Sequence, residues 1–102
     1  MKGAILLVKE IYLNERVIPI EHYNEEQVDG LQKIHIQFKV TSEEYHDIAV
    51  LLYEGTFDVK VPERNLVFRG TIHHYSTSVT NLYEKGQVAD YKLTLMEVKP
   101  VK

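Results

Sequence analysis

The sequence predicts one α+β domain over residues 1–102: an antiparallel sheet of about six strands, strongly curved or barrel-like, with an amphipathic helix at about residues 42–54 packed on it. Three observations predict it. Ile34, Ile36, Phe38 and Val40 alternate with Lys33, His35, Gln37 and Lys39, the period of a strand with one buried and one wet face. Tyr45, Ile48, Ala49 and Leu52 follow at i, i+3, i+4 and i+7, the apolar stripe of a helix. Beyond that helix the alternation resumes. Ordering a chain of this size costs on the order of 100–200 kcal/mol of conformational entropy, which only an apolar core offsets. Hydrophobic residues make up 44% of the sequence and are well spread, so a folded core is expected.

The elements follow in order. The segment from Ala4 to Leu13 mixes apolar residues with Lys9 and Glu10, and Asn14-Glu15 is the turn that sends Val17 to Tyr23 back along it as a hairpin. Pro19 cannot donate to a ladder, so this second strand is expected at an edge or interrupted there. Glu21, Glu25, Glu26 and Asp29 have no compensating cation among them and read as a solvated loop ending in the turn Asp29-Gly30. The strand through Ile34 comes next. Thr41 with Glu44 three residues later fits a capping box, and Glu43 and Glu44 suit the positive end of the helix dipole. Gly55 ends the helix, since glycine tolerates the left-handed conformation past a last turn.

Phe57, Val59 and Val61 then alternate with Asp58 and Lys60, and Pro62-Glu63-Arg64-Asn65 turns the chain. Leu66 to about Ser78 is extended, with Gly70 in its middle as a bulge or a point of close approach. Asn81 to Gly86 reads as a loop. Tyr91, Leu93 and Leu95 mark the last strand.

Composition narrows the chemistry. The absence of cysteine removes disulfides, thiolate nucleophiles and Cys-based zinc sites. The apolar run at the N-terminus stops at Lys9-Glu10, short of a signal peptide, and no stretch approaches the roughly 20 apolar residues of a membrane span. A cytoplasmic location is therefore expected. The formal net charge of −3 disfavours a partner read through nucleic-acid phosphates.

His73 and His74 are neighbours on a strand and point to opposite faces, so they do not chelate one metal together. His46 and Glu43 share a helix face but make a poor ligand set, and no His-Glu-x-x-His pattern occurs. The hydroxyl run Tyr75-Ser76-Thr77-Ser78-Val79-Thr80 lies beside His74, yet it lacks a nucleophile elbow and an orienting carboxylate, and alternating Ser and Thr suit a solvent-facing strand. Isolated Arg69-Gly70 and Lys85-Gly86 form no phosphate-binding loop. No enzyme motif, cofactor motif or metal site emerges. The seven tyrosines are more informative. Tyr45 and Tyr91 fall on core faces, whereas Tyr75 and Tyr83 flank a segment with little reason to be buried, and exposed tyrosines supply rigid amphipathic contact area.

The stretch Thr41-Ser-Glu-Glu-Tyr-His-Asp-Ile-Ala-Val-Leu-Leu-Tyr-Glu54, with Val61-Pro-Glu-Arg64, Phe68-Arg-Gly70, Tyr75-Ser-Thr-Ser78 and Thr80-Asn-Leu-Tyr-Glu84, resembles the YkvR-like family of small uncharacterised proteins of Bacillus-type bacteria. The resemblance covers the last two-thirds of the chain. It implies a compact α+β fold and a bacterial cytoplasm, and brings no activity or ligand to carry over. More loosely, a helix between strands with a last strand reading Tyr-x-Leu-x-Leu-x-Glu-Val is similar to small phage tail and baseplate components.

The functional reading is a non-enzymatic binding or assembly module, with Arg69, His74, Tyr75, Asn81 and Tyr83 as the candidate interaction surface. The partner is a protein or a second copy, not nucleic acid or a membrane. Two alternatives stand beside it. One is a small-molecule-binding protein or minor enzyme with a pocket between helix and sheet, using Arg69, His74 and Tyr75. The other is a phage-derived structural component.

Overall fold

A computed structural model describes residues 8–78 and 84–99. Four strands, one helix and three more strands follow along it: β1 Glu10–Leu13, β2 Arg16–Pro19, β3 His22–Val28, β4 Leu31–Thr41, α1 Tyr45–Tyr53, β5 Thr56–Val61, β6 Leu66–Thr77 and β7 Val88–Glu97. A 3-10 turn, Pro62–Arg64, separates β5 from β6. All pairings are antiparallel, in the order β2-β1-β5-β6-β7-β4-β3.

Local chemistry sets the hairpins. Asn14 and Glu15 both have positive φ, at 53° and 77°, and Asp29 and Gly30 repeat this at 54° and 81°. A two-residue turn with both central residues on that side matches the twist of its strands. Asn14 also clamps the turn from outside, its side-chain oxygen accepting the Asp58 N–H at 2.8 Å. Pro19 ends β2, which is an edge strand, as its missing donor requires.

The two edge strands are consecutive in the chain. Only Ile20 and Glu21 lie between β2 and β3, and their N–H groups bond to opposite ends of the sheet, Ile20 to the Lys9 carbonyl at 2.9 Å and Glu21 to the Gln37 carbonyl at 2.7 Å. Seven strands at roughly 4.8 Å spacing would put the edges of a flat sheet about 29 Å apart. A two-residue link reaches about 10 Å. The sheet therefore bends until its edges approach at that corner. One face becomes the core face, where Ile11, Leu13, Ile34, Val40, Phe57, Val59, Val61 and Leu95 are wholly buried.

The expected sheet of about six strands is corrected to seven, and its barrel-like closure to an open order, with no ladder between β2 and β3 among the described residues. The seventh strand is the segment read as a solvated loop. The fold brings partners to Glu25 and Glu26 in it. Arg64 grips Glu25 with two bonds, Nε to Oε1 at 3.0 Å and Nη2 to Oε2 at 2.7 Å, while the Tyr23 hydroxyl donates to Glu25 Oε1 at 2.6 Å. His35 Nε2 meets Glu26 Oε2 at 2.7 Å. Thirty-nine residues separate Arg64 from Glu25, so no local reading finds the pair. It ties β3, at one edge, to the turn after β5.

The helix starts later than expected. Ser42 N–H still bonds the Gln87 carbonyl at 2.9 Å, which keeps the chain in strand register, and Ser42–Glu44 form a turn before α1 begins. The reciprocal bonds of the expected capping box are made, but in the turn before α1, whose own N-cap, Glu44, caps no helix N–H with its side chain: Thr41 N–H donates to Glu44 Oε1 at 3.1 Å and Glu44 N–H to Thr41 Oγ1 at 3.3 Å. Gly55, at φ 78°, closes the far end, with its N–H on the Leu52 carbonyl at 3.1 Å. Ile48 and Leu51 are the buried residues of α1, Tyr45 and Leu52 are half-buried, and Ala49, expected in the core stripe, is exposed. Gly70 is a point of close approach, since a Cβ there would stand 2.9 Å from the Phe68 ring and 3.2 Å from Val59 Cγ2. Among the described residues no helix is long and apolar enough to cross a membrane.

Two measurements test these constraints. Glu15 pays the steric cost of positive φ that glycine avoids, so Glu15→Gly should raise unfolding stability in urea by about 0.5–1 kcal/mol; a loss would show the turn is not under strain. Hydrogen bonds from Arg64 hold the Glu25 carboxyl below its ordinary range. A depressed carboxylate pKa stabilises the fold above its unfolded value and ceases to as pH falls through its folded value. Arg64→Gln should therefore be less stable than the parent at pH 7, with the gap narrowing below about pH 4; a gap independent of pH would contradict the clamp.

Candidate functional site

The residues singled out in the sequence separate onto two faces. Side chains directly paired across strands share a face, so Arg69, opposite Asp58, and His74, opposite Thr94, lie on the outer face. Tyr75, opposite Leu93, lies on the core face. Asn81 and Tyr83 lie outside the described residues.

A bulge places Tyr75 there. Ile72 pairs with Leu95 and His74 with Thr94, so His73 is the extra residue of β6. Without it, Ile72 and Tyr75, three apart, would face opposite ways. One inserted residue restores them to the same face. The glycine expected to mark the bulge, Gly70, is instead regularly paired with Phe57.

Ile72 and Tyr75 form one wall of an apolar hollow of about 250 Å³ whose other wall is Ala49, Leu52 and Tyr53 of α1. A second hollow, about 460 Å³, opens on the other side of Tyr53, between Tyr45, His46, Ala49 and Val50. Tyr53 stands between them 92% exposed, with Val50 56% and Tyr75 47% exposed. The walls are tied to one another, because the Gly55 carbonyl at the end of α1 accepts both the Ile72 N–H, at 2.9 Å, and the Thr71 hydroxyl, at 3.0 Å. Reading a single core stripe on α1 missed Tyr53 and Val50. The signal was present as a second helical series, His46, Ala49, Val50 and Tyr53.

The outer face is polar and internally paired. Arg69 Nη1 donates to Asp58 Oδ1 at 2.9 Å. His35 Nδ1 lies 3.0 Å from Thr94 Oγ1 and its Nε2 meets Glu26, whose carboxyl this bond holds below its ordinary range. Ser76, Thr77 and Ser78 line a polar cleft of about 310 Å³ with Gln37, Asp90 and Lys92. Asp90 is engaged by Lys39 at 2.6 Å, and Ser78 pairs with the Asp90 backbone through both its N–H and its Oγ. The hydroxyl run thus extends the sheet. Among the described residues no three His, Cys, Asp or Glu side chains gather as a metal site.

A family model described as a protein of unknown function, DUF3219, matches residues 10–101. The chain is 50% identical over 91 residues to the uncharacterized protein YkvR of Bacillus subtilis (strain 168), an alignment that spans 89% of this chain and 94% of that one. It is also similar to the NMR solution structure of the YkvR protein from Bacillus subtilis, at 49% identity and a TM-score of 0.61, covering 91% of this chain and 88% of the other.

The floor of the groove continues inward as an aromatic column. Tyr75 meets Tyr91 edge-on at 5.8 Å between ring centres, and Tyr91 lies 5.6 Å from Phe38. Burial first, and the charge and hydroxyl of Tyr75 next, push the Tyr91 phenol up to about 12. Folding favours the protonated ring, so this stabilisation is present below the ordinary value of about 10 and disappears as pH rises through the folded value. In an ultraviolet titration, Tyr91→Phe should remove an ionisation step near pH 12 and leave the ordinary tyrosine step in place. Loss of amplitude near pH 10 would place Tyr91 in water instead.

Proposed function

The chain belongs to the DUF3219 family, whose description assigns no activity, and from that premise we propose that it is a non-enzymatic binding module whose contact surface is the groove between α1 and β6. One observation carries the reading. An aromatic side chain, Tyr53, stands almost fully in water on a helix anchored at both ends, between two apolar hollows. Scattered single apolar residues on a surface need no explanation. A contiguous set made of Ala49, Val50, Tyr53, Ile72 and Tyr75 is the kind of patch that marks an interaction site.

The shape favours side chains of a protein partner over an enclosed small molecule. Ligand pockets bury most of their ligand, whereas these hollows are open and adjacent, sharing Ala49 and Tyr53 as the ridge between them. Aromatic anchors flanked by hollows are also the usual centre of a protein interface. The rigidity needed for this comes from the Thr41–Glu44 bonds in the turn before α1 and the doubly bonded Gly55 carbonyl after it.

A photo-crosslinking amino acid placed at Val50 should capture a protein in the native host cells. The adduct should disappear on Tyr53→Ser or Tyr75→Ala and be absent when the same group is placed at Lys60 on the outer face. Tyr53 contributes little to the core, so Tyr53→Ser should shift stability by no more than about 0.5 kcal/mol. Equal capture from Lys60, or capture indifferent to both substitutions, would overturn the proposal. A small molecule retained in native mass spectrometry and displaced by Tyr75→Ala would turn it toward a ligand pocket.

A further inference from the structure

Charge says what kind of partner the groove takes. From Ser42 to Glu54 the chain holds four carboxylates, Glu43, Glu44, Asp47 and Glu54, and neither lysine nor arginine. All four are exposed; Glu44 is engaged by Thr41, and Glu43 accepts only the neutral Ser42 hydroxyl, at 3.2 Å. On the helix, Asp47 and Glu54 fall in one row that borders the row of His46, Val50 and Tyr53, and Glu43 stands in the turn just before α1. The cation found nearby is Arg16, whose Nη1 reaches Asp47 at 4.0 Å, a contact worth little between exposed groups. Glu54 is held by the neutral amide of Asn14 at 2.9 Å, which leaves its charge in place. The apolar surface therefore has an acidic border along one side.

We propose that the groove receives a basic amphipathic helix of another protein, with apolar side chains at i and i+3 or i+4 seated in the two hollows on either side of Tyr53, and lysine or arginine on one flank facing Glu43, Asp47 and Glu54. The proposal rests on reading the groove as a binding surface and adds the chemistry of its occupant. Helix-in-groove recognition needs an apolar strip about two turns long, and the paired hollows along α1 supply it. Opposite charge at the rim steers association and selects partners. A second copy laid α1 against α1 brings the same carboxylates and no counter-charge from that helix. An anionic membrane surface meets the same repulsion.

The test uses two synthetic 14-residue helices that share Leu and Phe at the anchor positions, one flanked by lysines and the other by glutamates, titrated into the isotope-labelled full chain and followed by NMR. The lysine peptide should shift the signals of Ala49, Val50, Tyr53 and Ile72, and its affinity should weaken about tenfold between low and high salt, as expected for three exposed charge pairs. The glutamate peptide should bind at least tenfold more weakly, and Glu43→Lys with Asp47→Lys should reverse that order. Equal binding of both peptides in the groove overturns the charge assignment and leaves the groove reading intact. Shifts confined to other surfaces, or none with either peptide, overturn both. Concentration-dependent self-association that perturbs the same four residues makes the occupant a second copy and overturns the proposal.

Discussion

The fold depends on the short passage Pro19-Ile20-Glu21-His22. Two residues join one edge of a seven-stranded sheet to the other, and each fastens its N–H to a different side. Because that link cannot cross a flat sheet, the strands wrap around their own apolar side chains. One nine-residue helix could not otherwise cover so large a face. The long-range pairing of Arg64 with Glu25 and Tyr23 acts on the same problem, tying the outermost strand to the turn after β5. The carboxylate that looks like surface charge in the sequence thus belongs to the fastening of the core.

With the sheet doing most of the covering, α1 is left with a limited structural task. Ile48 and Leu51 meet the core, and hydrogen bonds tie the turns that flank the helix. The neighbouring rows of the helix are then available for another use, and they are not polar. His46, Ala49, Val50 and Tyr53 follow one another along it, with carboxylates beyond. An amphipathic helix serving only its own fold would place polar residues there.

The bulge at His73 connects this helix to the sheet. It turns Tyr75 from the outer face to the core face, against Tyr91 and beside Ile72, and supplies the second wall of the groove. The same strand carries Arg69, His74 and Ser76 on the opposite face, where they extend a polar surface already paired within itself. Residues adjacent in sequence are therefore divided between two surfaces, and residues from distant elements are joined in one.

Periodicity and turn chemistry by themselves determined the α+β class, the antiparallel sense of the sheet, the reciprocal bonds of Thr41 and Glu44, the glycine stop at Gly55 and the two-residue turns. These follow from interactions within a few residues, which local sequence encodes directly. They also singled out Tyr75, which stands in the wall of the groove. What only the tertiary structure decided was the seventh strand, the open but bent sheet, the partners of Glu25 and Glu26, and the groove. Each of those rests on residues tens of positions apart, or on a single inserted residue that inverts the facing of everything after it, and strand alternation carries no mark of where such an insertion falls.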